Sequence, residues 1–430
     1  MPRDLPGLYF DKEKNRYFPL SSKPKERLKS PSNAADEDEA RSRKRKRGPW
    51  AVNSELRSGP SYARRQRLAH EFLSEQVAST SRVHPIFLPG NISSFCVGRI
   101  EDRLRCVIGD NNGWLYQVFS LGKGHADPWD ELGYLPETFE EIRDRRITWR
   151  WDINLSSEIS SIHLDGSRSV ATSFGPTPKV LVQDLVTNPD RSFVLNFGKV
   201  ADIWTSYLDG RSLVLGARKK AVYIPDLEIT RTIYLDNNSD VFAVYKDKLT
   251  QDLIYAGARN GSLNRFDTRM HNQSQHGQDI LNGRYAEKRS SVTHIGLVKN
   301  EWQLVVNGIN GDLEMFDLRF SGKGTPVMSF LGHINTYTRE LGFAIDADND
   351  LLYAAGQDAR IRGWSMRTGE LLHPPSPESL VGITNPFGAV FERPVRTLQL
   401  TQSDEEVILW ANTSQQLCVY PLGHRARGIS

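Results

Sequence analysis

Cysteine is scarce in this chain, with three among 430 residues: Cys96, Cys106 and Cys418. Three thiols form no even disulfide framework and share no metal-ligand spacing, so they read as buried strand thiols of a protein kept in a reducing compartment. The ten histidines are scattered, without an HxxxH or HExxH pair, which argues against a metal site. Long apolar runs are missing too. Stretches such as Ser212-Leu213-Val214-Leu215-Gly216 fall far short of the roughly 20 residues that span a bilayer. No apolar segment follows a basic start, as a secretory signal requires. Catalytic signatures are equally absent: no GxSxG, no Walker loop, no paired carboxylate motif. The expectation is a soluble, non-catalytic protein with no cofactor, no metal and no membrane contact.

What the chain has is a divided charge. Its net of +3 conceals 18 Lys and Arg against nine Asp and Glu through Arg67, a net of +9, which leaves 37 against 43 beyond, a net of −6. The basicity belongs to an amino-terminal tail. A mildly acidic body does not suit a broad grip on a phosphate backbone, which draws on clustered Lys and Arg, so nucleic acid is not an expected partner. From Ser21 to about residue 60 the sequence is polar and blocky, with Asp36-Glu37-Asp38-Glu39 running into Arg41-Ser42-Arg43-Lys44-Arg45-Lys46-Arg47. Low hydrophobicity and like-charge blocks predict disorder. Arg41, Arg43, Lys44, Arg45, Lys46 and Arg47 read as a nuclear localisation signal; a tail for nucleic acid or an acidic partner, or a merely solvated charge run, are the alternatives.

A helix is predicted from Ser61 to Ala78, within a segment running to residue 82. Leu68 and Phe72 fall on one stripe and Ala69, Leu73 and Val77 on the next. Its apolar face must be covered, either by the protein's own domain or by a partner's groove. Beyond Val83, to about residue 424, a unit recurs: a β-rich run, a small residue, a polar turn, a second β-rich run. It is seen at Cys106-Val107-Ile108-Gly109 before Trp114-Leu115-Tyr116, at Leu253-Ile254-Tyr255-Ala256-Gly257 before Leu263-Asn264-Arg265-Phe266-Asp267, and at Leu304-Val305-Val306-Asn307-Gly308 before Leu313-Glu314-Met315-Phe316-Asp317. Seven copies, spaced roughly 40 to 65 residues apart, predict an all-β, seven-bladed propeller of four-stranded blades. The widest gap holds an insertion, Gly122 to Arg146, with a short helix near Glu137 to Arg145. The copies resemble WD repeats with a degraded pattern. Only the sixth offers Gly332-His333, Asp358 and Trp364 together, the outline of the His-Ser-Asp-Trp network of such blades, with Ala355 at the Ser position. His333, Asp358 and Trp364 are therefore expected to be structural.

Two endings stand apart: Phe266-Asp267-Thr268-Arg269 and Phe316-Asp317-Leu318-Arg319, on the neighbouring fourth and fifth copies. Strand alternation puts Asp and Arg on one side and Phe on the other, so Asp can hold the guanidinium extended while Phe anchors between blades. A planar, permanently charged fork suits a protein interface, although an aromatic-Asp-x-basic ending also closes many blades for packing reasons. At the amino terminus, Leu5-Pro6-Gly7-Leu8-Tyr9-Phe10-Asp11-Lys12-Glu13-Lys14-Asn15-Arg16-Tyr17-Phe18 brackets a charged, turn-forming centre with Tyr9-Phe10 and Tyr17-Phe18. On its residues alone this motif, within positions 1–20, reads as a short hairpin docked on an edge of the main domain.

That segment resembles the amino-terminal signature of one family of WD-repeat proteins, the cullin-4-associated factor four type, substrate receptors of ubiquitin ligases. The two endings resemble the WDxR box through which WD-repeat receptors bind the cullin-4 ligase adaptor, with Phe in place of Trp. Carried over by position, the resemblance implies that Arg269 and Arg319 face the adaptor and that Asp267 and Asp317 support them. Phe266 and Phe316 then anchor the boxes. It also implies that the helix ahead of the propeller inserts into the adaptor. The expectation is a nuclear, non-enzymatic receptor whose partners are that adaptor and an unidentified protein substrate bound on the opposite rim. The alternative is a nuclear scaffold or chromatin-associated adaptor with no ligase link; a propeller hydrolase or lyase would need an acid, base or metal cluster in its channel. Deleting Arg41 to Arg47 is expected to shift the protein out of the nucleus, and unchanged nuclear accumulation under the microscope would dispose of the signal.

Overall fold

In a computed structural model the described residues are 8–11, 16–19, 62–100, 103–121, 134–186, 192–229, 231–250, 252–270, 277–281, 290–298, 302–320, 324–374, 384–403 and 406–424. The charge blocks at 36–39 and 41–47 lie outside them. Contacts divide the chain into two units, residues 1–65 and 66–430. In the first, Leu8–Asp11 and Arg16–Pro19 form an antiparallel hairpin whose register sets Tyr9 opposite Phe18 and Phe10 opposite Tyr17.

The second unit contains seven antiparallel sheets, the blades of a propeller. Blade 1 runs Ile92–Ile100, Arg103–Asp110, Trp114–Ser120, Ile147–Asn154; blade 2 runs Ile159–Asp165, Arg168–Ser173, Lys179–Asp184, Ser192–Asn196. Blade 3 is Thr205–Asp209, Ser212–Ala217, Lys220–Ile224, Ile233–Asp236; blade 4 is Val241–Lys246, Leu253–Ala258, Leu263–Asp267, Gln278–Asp279. Blade 5 is Val292–Leu297, Gln303–Gly308, Leu313–Asp317, Met328–Ser329. Among the described residues blade 6 shows three strands, Phe343–Asp346, Leu351–Ala355 and Ile361–Ser365, and an isolated bridge from Trp364 to Leu371. The seven blades expected from the repeats are present.

Blade 7 closes the ring. Its strands Leu398–Gln402, Glu406–Thr413 and Gln416–His424 come from the carboxyl-terminal end, and its outer strand, His84–Phe87, comes from before blade 1. Sharing a blade between the two ends turns an open stack into a closed one and leaves no unpaired sheet face at a seam.

Each gap between neighbouring blades holds its own apolar cluster, seven clusters for seven gaps. A second strand is covered on both faces by its neighbours, so Ser212–Ala217 and Leu351–Ala355 are buried at every residue. That is why these strands read as unbroken apolar runs rather than alternating ones. The small residue ending the run has a packing reason: a Cβ on Gly257 would sit 2.4 Å from a Val292 methyl of blade 5, and one on Gly109 would sit 2.5 Å from Ile159 of blade 2. The hairpin turns at Gly166 and Gly210 take φ of +58°, which glycine adopts freely.

The helix occupies Tyr62–Ala78. Its residues Val77 and Ala78, with Leu73 beside them, join the cluster between blades 6 and 7. Asn385 donates to the Ala78 carbonyl at 2.8 Å and Thr80 donates to the Pro421 carbonyl at 3.1 Å. The protein's own domain thus covers much of the apolar face. Phe72, predicted to share a stripe with Leu68, is exposed while Leu68 is buried. In the blade 1 insertion a short helix, Phe139–Asp144, starts at Thr138 and buries Phe139 and Ile142 between blades 7 and 1.

The three cysteines are free and buried. His333 accepts no part in a His-Ser-Asp-Trp relay. Its ring nitrogens face the Ala355 carbonyl at 3.0 Å and the Gly311 carbonyl at 3.3 Å, and Trp364 donates to the Leu331 carbonyl at 2.8 Å. Asp358 turns instead to Arg362, which donates to it twice, at 2.9 and 2.6 Å.

Ring closure supplies the first prediction. Ile86 of the closing strand is buried against blades 7 and 1 while its neighbour Phe87 is exposed. Ile86→Ala is expected to cost about 2–5 kcal/mol, as for other large-to-small core changes, and to lower the thermal midpoint clearly. Phe87→Ala is expected to leave it nearly unchanged; equal midpoints for the two variants would refute the seam.

Candidate protein-interaction site

The two Phe-Asp-x-Arg segments leave the third strands of blades 4 and 5 and enter the loops to the fourth strands, so both lie on one rim. Phe266 fills the gap between blades 3 and 4 and Phe316 the gap between blades 4 and 5, at 1% and 5% exposure. The next backbone N–H is tied to the preceding hairpin: Thr268 donates to the Asp252 carbonyl at 2.9 Å and Leu318 to the Trp302 carbonyl at 2.8 Å. With the backbone pinned twice, the aspartate closes a turn. Asp267 Oδ1 accepts the Arg269 N–H at 3.1 Å, and Asp317 Oδ1 accepts the Arg319 N–H at 2.9 Å.

The same carboxylates hold the guanidinium groups. Arg269 donates through Nε at 2.9 Å and Nη2 at 2.6 Å to Asp267, and Arg319 donates likewise at 3.0 and 2.6 Å to Asp317. This two-pronged geometry fixes a flexible side chain at little cost to its outward face. Both arginines remain open to solvent, at 62% and 55% exposure. The hydrogen bonds from Arg269 and Arg319 hold the Asp267 and Asp317 carboxyls below the usual range.

The surroundings of the two differ. Asp252 lies 3.8 Å from Arg269, a second carboxylate near the same cation. Arg319 instead lies over two exposed aromatics, its guanidinium carbon 5.9 Å from the Trp302 ring centre and 5.8 Å from that of Phe320. Exposed Ile229, Leu249 and Met270 belong to the loops of the same rim on blades 3 and 4.

A third arginine, Arg367, occupies the equivalent place on blade 6, a position the Phe-Asp-x-Arg pattern does not pick out. Met366 donates to the Asp350 carbonyl at 2.8 Å, as Thr268 and Leu318 do to theirs, and Arg367 donates its N–H to Ser365 Oγ at 3.2 Å. The segment Trp364-Ser365-Met366-Arg367 is therefore the same turn, with tryptophan at the anchor and serine at the acid. Serine cannot clamp a guanidinium, and Asp350 does so from the hairpin, accepting from Arg367 Nε at 2.5 Å. The tryptophan was the available signal; the missing Asp hid it.

On blade 3 the turn is kept but the charge is reversed. Glu228 donates its N–H to Asp226 Oδ1 at 2.9 Å, and its carboxylate accepts from Arg168 at 2.7 Å and Arg211 at 3.3 Å. The outward arginines thus run over blades 4, 5 and 6. The helix Tyr62–Ala78 borders that run: His70, its pKa lowered by burial and next by Arg367, pairs through Nε2 with Ser365 Oγ at 2.6 Å. Among the described residues, no group of three or more His, Cys, Asp or Glu is placed to hold a metal.

Residues 203–387 match the family model of the DDB1- and CUL4-associated factor 4 beta-propeller domain. The chain is similar to the DDB1- and CUL4-associated factor 4 of Bos taurus, 24% identical over 413 residues, covering 87% of this chain and 79% of that protein. It is 31% identical over 144 residues to the Homo sapiens protein of the same name, covering 33% of this chain and 27% of that one. It is 26% identical over 152 residues to WD repeat-containing protein 21 of Schizosaccharomyces pombe, covering 35% and 34%. Among solved structures it resembles the WD40 beta propeller domain of Doa1, with a TM-score of 0.53 at 10% identity over 80% of this chain and 96% of that chain, a likeness of fold alone. The family resemblance drawn from the amino-terminal segment and the two boxes agrees with these matches.

The bidentate pairs give a second prediction. Each is intact while its carboxylate is ionised and is lost as pH falls through the lowered carboxyl pKa. In carboxyl-carbon NMR titrations Asp267 and Asp317 are expected to titrate below free aspartate. Arg269→Ala is expected to return only Asp267, and Arg319→Ala only Asp317, to the ordinary range; midpoints that do not move would refute the clamp.

Proposed function

We propose that this chain is a substrate receptor of a cullin-4 ubiquitin ligase, a non-catalytic WD-repeat propeller of the DDB1- and CUL4-associated factor 4 type. The observation that carries the reading is the run of clamped, outward arginines on adjacent blades of one rim, in a chain similar to proteins named for association with DDB1 and CUL4. The adaptor would dock on that rim. Phe266, Asp267 and Arg269 form one box, and Phe316, Asp317 and Arg319 the other. Receptor function needs no chemistry from the propeller: holding a substrate beside a charged ubiquitin-conjugating enzyme raises its effective concentration.

Of the two boxes, that of blade 5 is the stronger anchor. Arginine and tryptophan are the residues most enriched among interface hot spots, and Arg319 is flanked by exposed Trp302 and Phe320. Arg269 faces partial neutralisation by Asp252. We place the protein in the nucleus on the basic cluster at 41–47. A nuclear scaffold without a ligase link is the alternative, and it accounts less well for solvent-exposed guanidinium groups held in fixed geometry.

Affinity purification of the tagged chain, read by mass spectrometry, is expected to retain the cullin-4 adaptor, and its absence would end the receptor reading. Arg269→Ala with Arg319→Ala is expected to abolish that retention while the thermal midpoint stays within a degree or two, because exposed ion pairs contribute little to stability. A double variant that still retains the adaptor would remove the assigned role. Arg319→Ala alone is expected to weaken adaptor binding more than Arg269→Ala, by about tenfold or more against wild type.

A further inference from the structure

On the rim opposite the boxes, the mouth of the channel holds a concentration of cations that the acidic propeller body does not prepare for. A depression of about 390 Å³ there is lined by Arg339, Arg393 and Arg396, with Glu340 the one acid among its walls. It shares Arg339, Glu340 and Arg396 with a second cavity of about 240 Å³ that enters the channel.

Two of these cations are built in. The Arg339 guanidinium lies 4.4 Å from the Trp204 ring centre, 5.4 Å from Phe174 and 5.5 Å from Phe242, three aromatics contributed by blades 2, 3 and 4. It pairs with Glu340. Arg396 bridges Glu158 at 2.8 Å and Glu340 at 3.5 Å. Glu340 thus sits between two guanidinium groups, an internal instance of the carboxylate recognition the site offers. Arg393 is exposed and has no ion-pair partner among the described residues.

The loop that supplies Thr338 to the wall of this depression carries an aromatic residue one position earlier, Tyr337. Asn335 is buried and clamps its turn from both directions: its amide donates to the Thr338 carbonyl at 2.7 Å and its Oδ1 accepts the Thr338 N–H at 2.9 Å. Thr336 ties the turn to blade 6 by donating to Gln357 at 2.8 Å. The turn so fixed presents Tyr337 at 74% exposure, with Ile334 and Leu331 also exposed on the same loop. A fixed turn that exposes a large aromatic ring, two residues before a caged arginine, has the composition of a protein-binding hot spot.

We propose that this mouth binds an acidic peptide segment of a partner protein, a carboxylate engaging Arg393 and the Arg339–Arg396 pair while an adjoining apolar residue packs on Tyr337. Charge complementarity selects the occupant: the body beyond Arg67 carries a net of −6, so this cationic patch stands against its surroundings. The cavity's size and the apolar loop favour a peptide over a nucleic acid, which would need a longer cationic track. The inference rests on the receptor reading only in naming the bound segment as substrate; the binding itself is independent of any ligase.

The test begins with selection of random peptides, displayed on phage, against the immobilised full chain. Selected peptides are expected to carry Asp or Glu beside an apolar residue; selection of basic or neutral peptides, or of none, would overturn the proposal. Synthetic copies then enter fluorescence anisotropy. Asn/Gln copies are expected to bind at least tenfold more weakly, and equal binding would refute carboxylate recognition. Affinity that survives carboxyl-terminal amidation assigns recognition to acidic side chains; affinity lost on amidation assigns it to the free terminus, and either result supports the site. A single-stranded oligonucleotide that competes at lower concentration than the acidic peptide would overturn it. Arg393→Glu and Tyr337→Ala, both at exposed positions, are expected to weaken binding about tenfold or more with an unchanged thermal midpoint, and wild-type affinity in both would count against the site. The Arg269→Ala, Arg319→Ala double variant is expected to bind the peptide normally, so loss of adaptor binding and loss of peptide binding remain separate results.

Discussion

The pairing of His84–Phe87 with the last strand of the chain is the constraint on which the rest depends. A propeller blade buries both faces only when it has a neighbour on each side, so an open ring would leave two apolar sheet faces in water. Closure through a shared blade removes that penalty and also fixes where the amino-terminal segment must lie. The helix Tyr62–Ala78 ends a few residues before the closing strand, so its placement beside blades 6 and 7 follows from the seam. From there it reaches Ser365 through His70. The closure that stabilises the ring therefore also delivers a helix to the edge of the arginine-bearing rim.

The boxes show how a local turn fixes an outward-facing side chain. Three hydrogen bonds within a stretch of three residues, one from the backbone and two from the guanidinium, leave the arginine little freedom, so its side-chain entropy is already lost on folding. The anchoring aromatic matters as much as the acid. Phe266, Phe316 and Trp364 each fill a successive gap between blades, so the three turns inherit the rotational spacing of the ring.

The sequence carried these features unevenly, for physical reasons. Second strands such as Ser212–Ala217 were legible because burial on both faces demands an unbroken apolar run. Fourth strands such as Gln278–Asp279 and Met328–Ser329 were not, because two residues are too few to show an alternation. Arg269 and Arg319 were legible because clamp and cation are two residues apart; Arg367 was not, because its clamp, Asp350, lies 17 residues away. Phe72 misled, since helical periodicity identifies an apolar stripe without saying how much of it the docked helix turns inward. The cage around Arg339 was invisible, being assembled from three blades and a loop of a fourth region, none of which carries a motif.

Charge on the rim adds a directional element that no single box supplies. Blades 4, 5 and 6 present arginine at one structural position, while blade 3 presents Glu228 there, already committed to Arg168 and Arg211. Along this rim three outward guanidinium groups, each paired with an aspartate, are bounded on one side by Glu228 and its two arginines and on the other by the helix. A surface matched to the three arginine positions and slipped by one blade toward blade 3 would lose one guanidinium and meet Glu228, whose carboxylate is already occupied by Arg168 and Arg211. The seven-fold ring alone offers seven nearly equivalent orientations; the reversal at blade 3 and the helix at blade 6 break that equivalence. Orientation is thus written in charge and in one docked element, while the repeat supplies only the scaffold on which they stand.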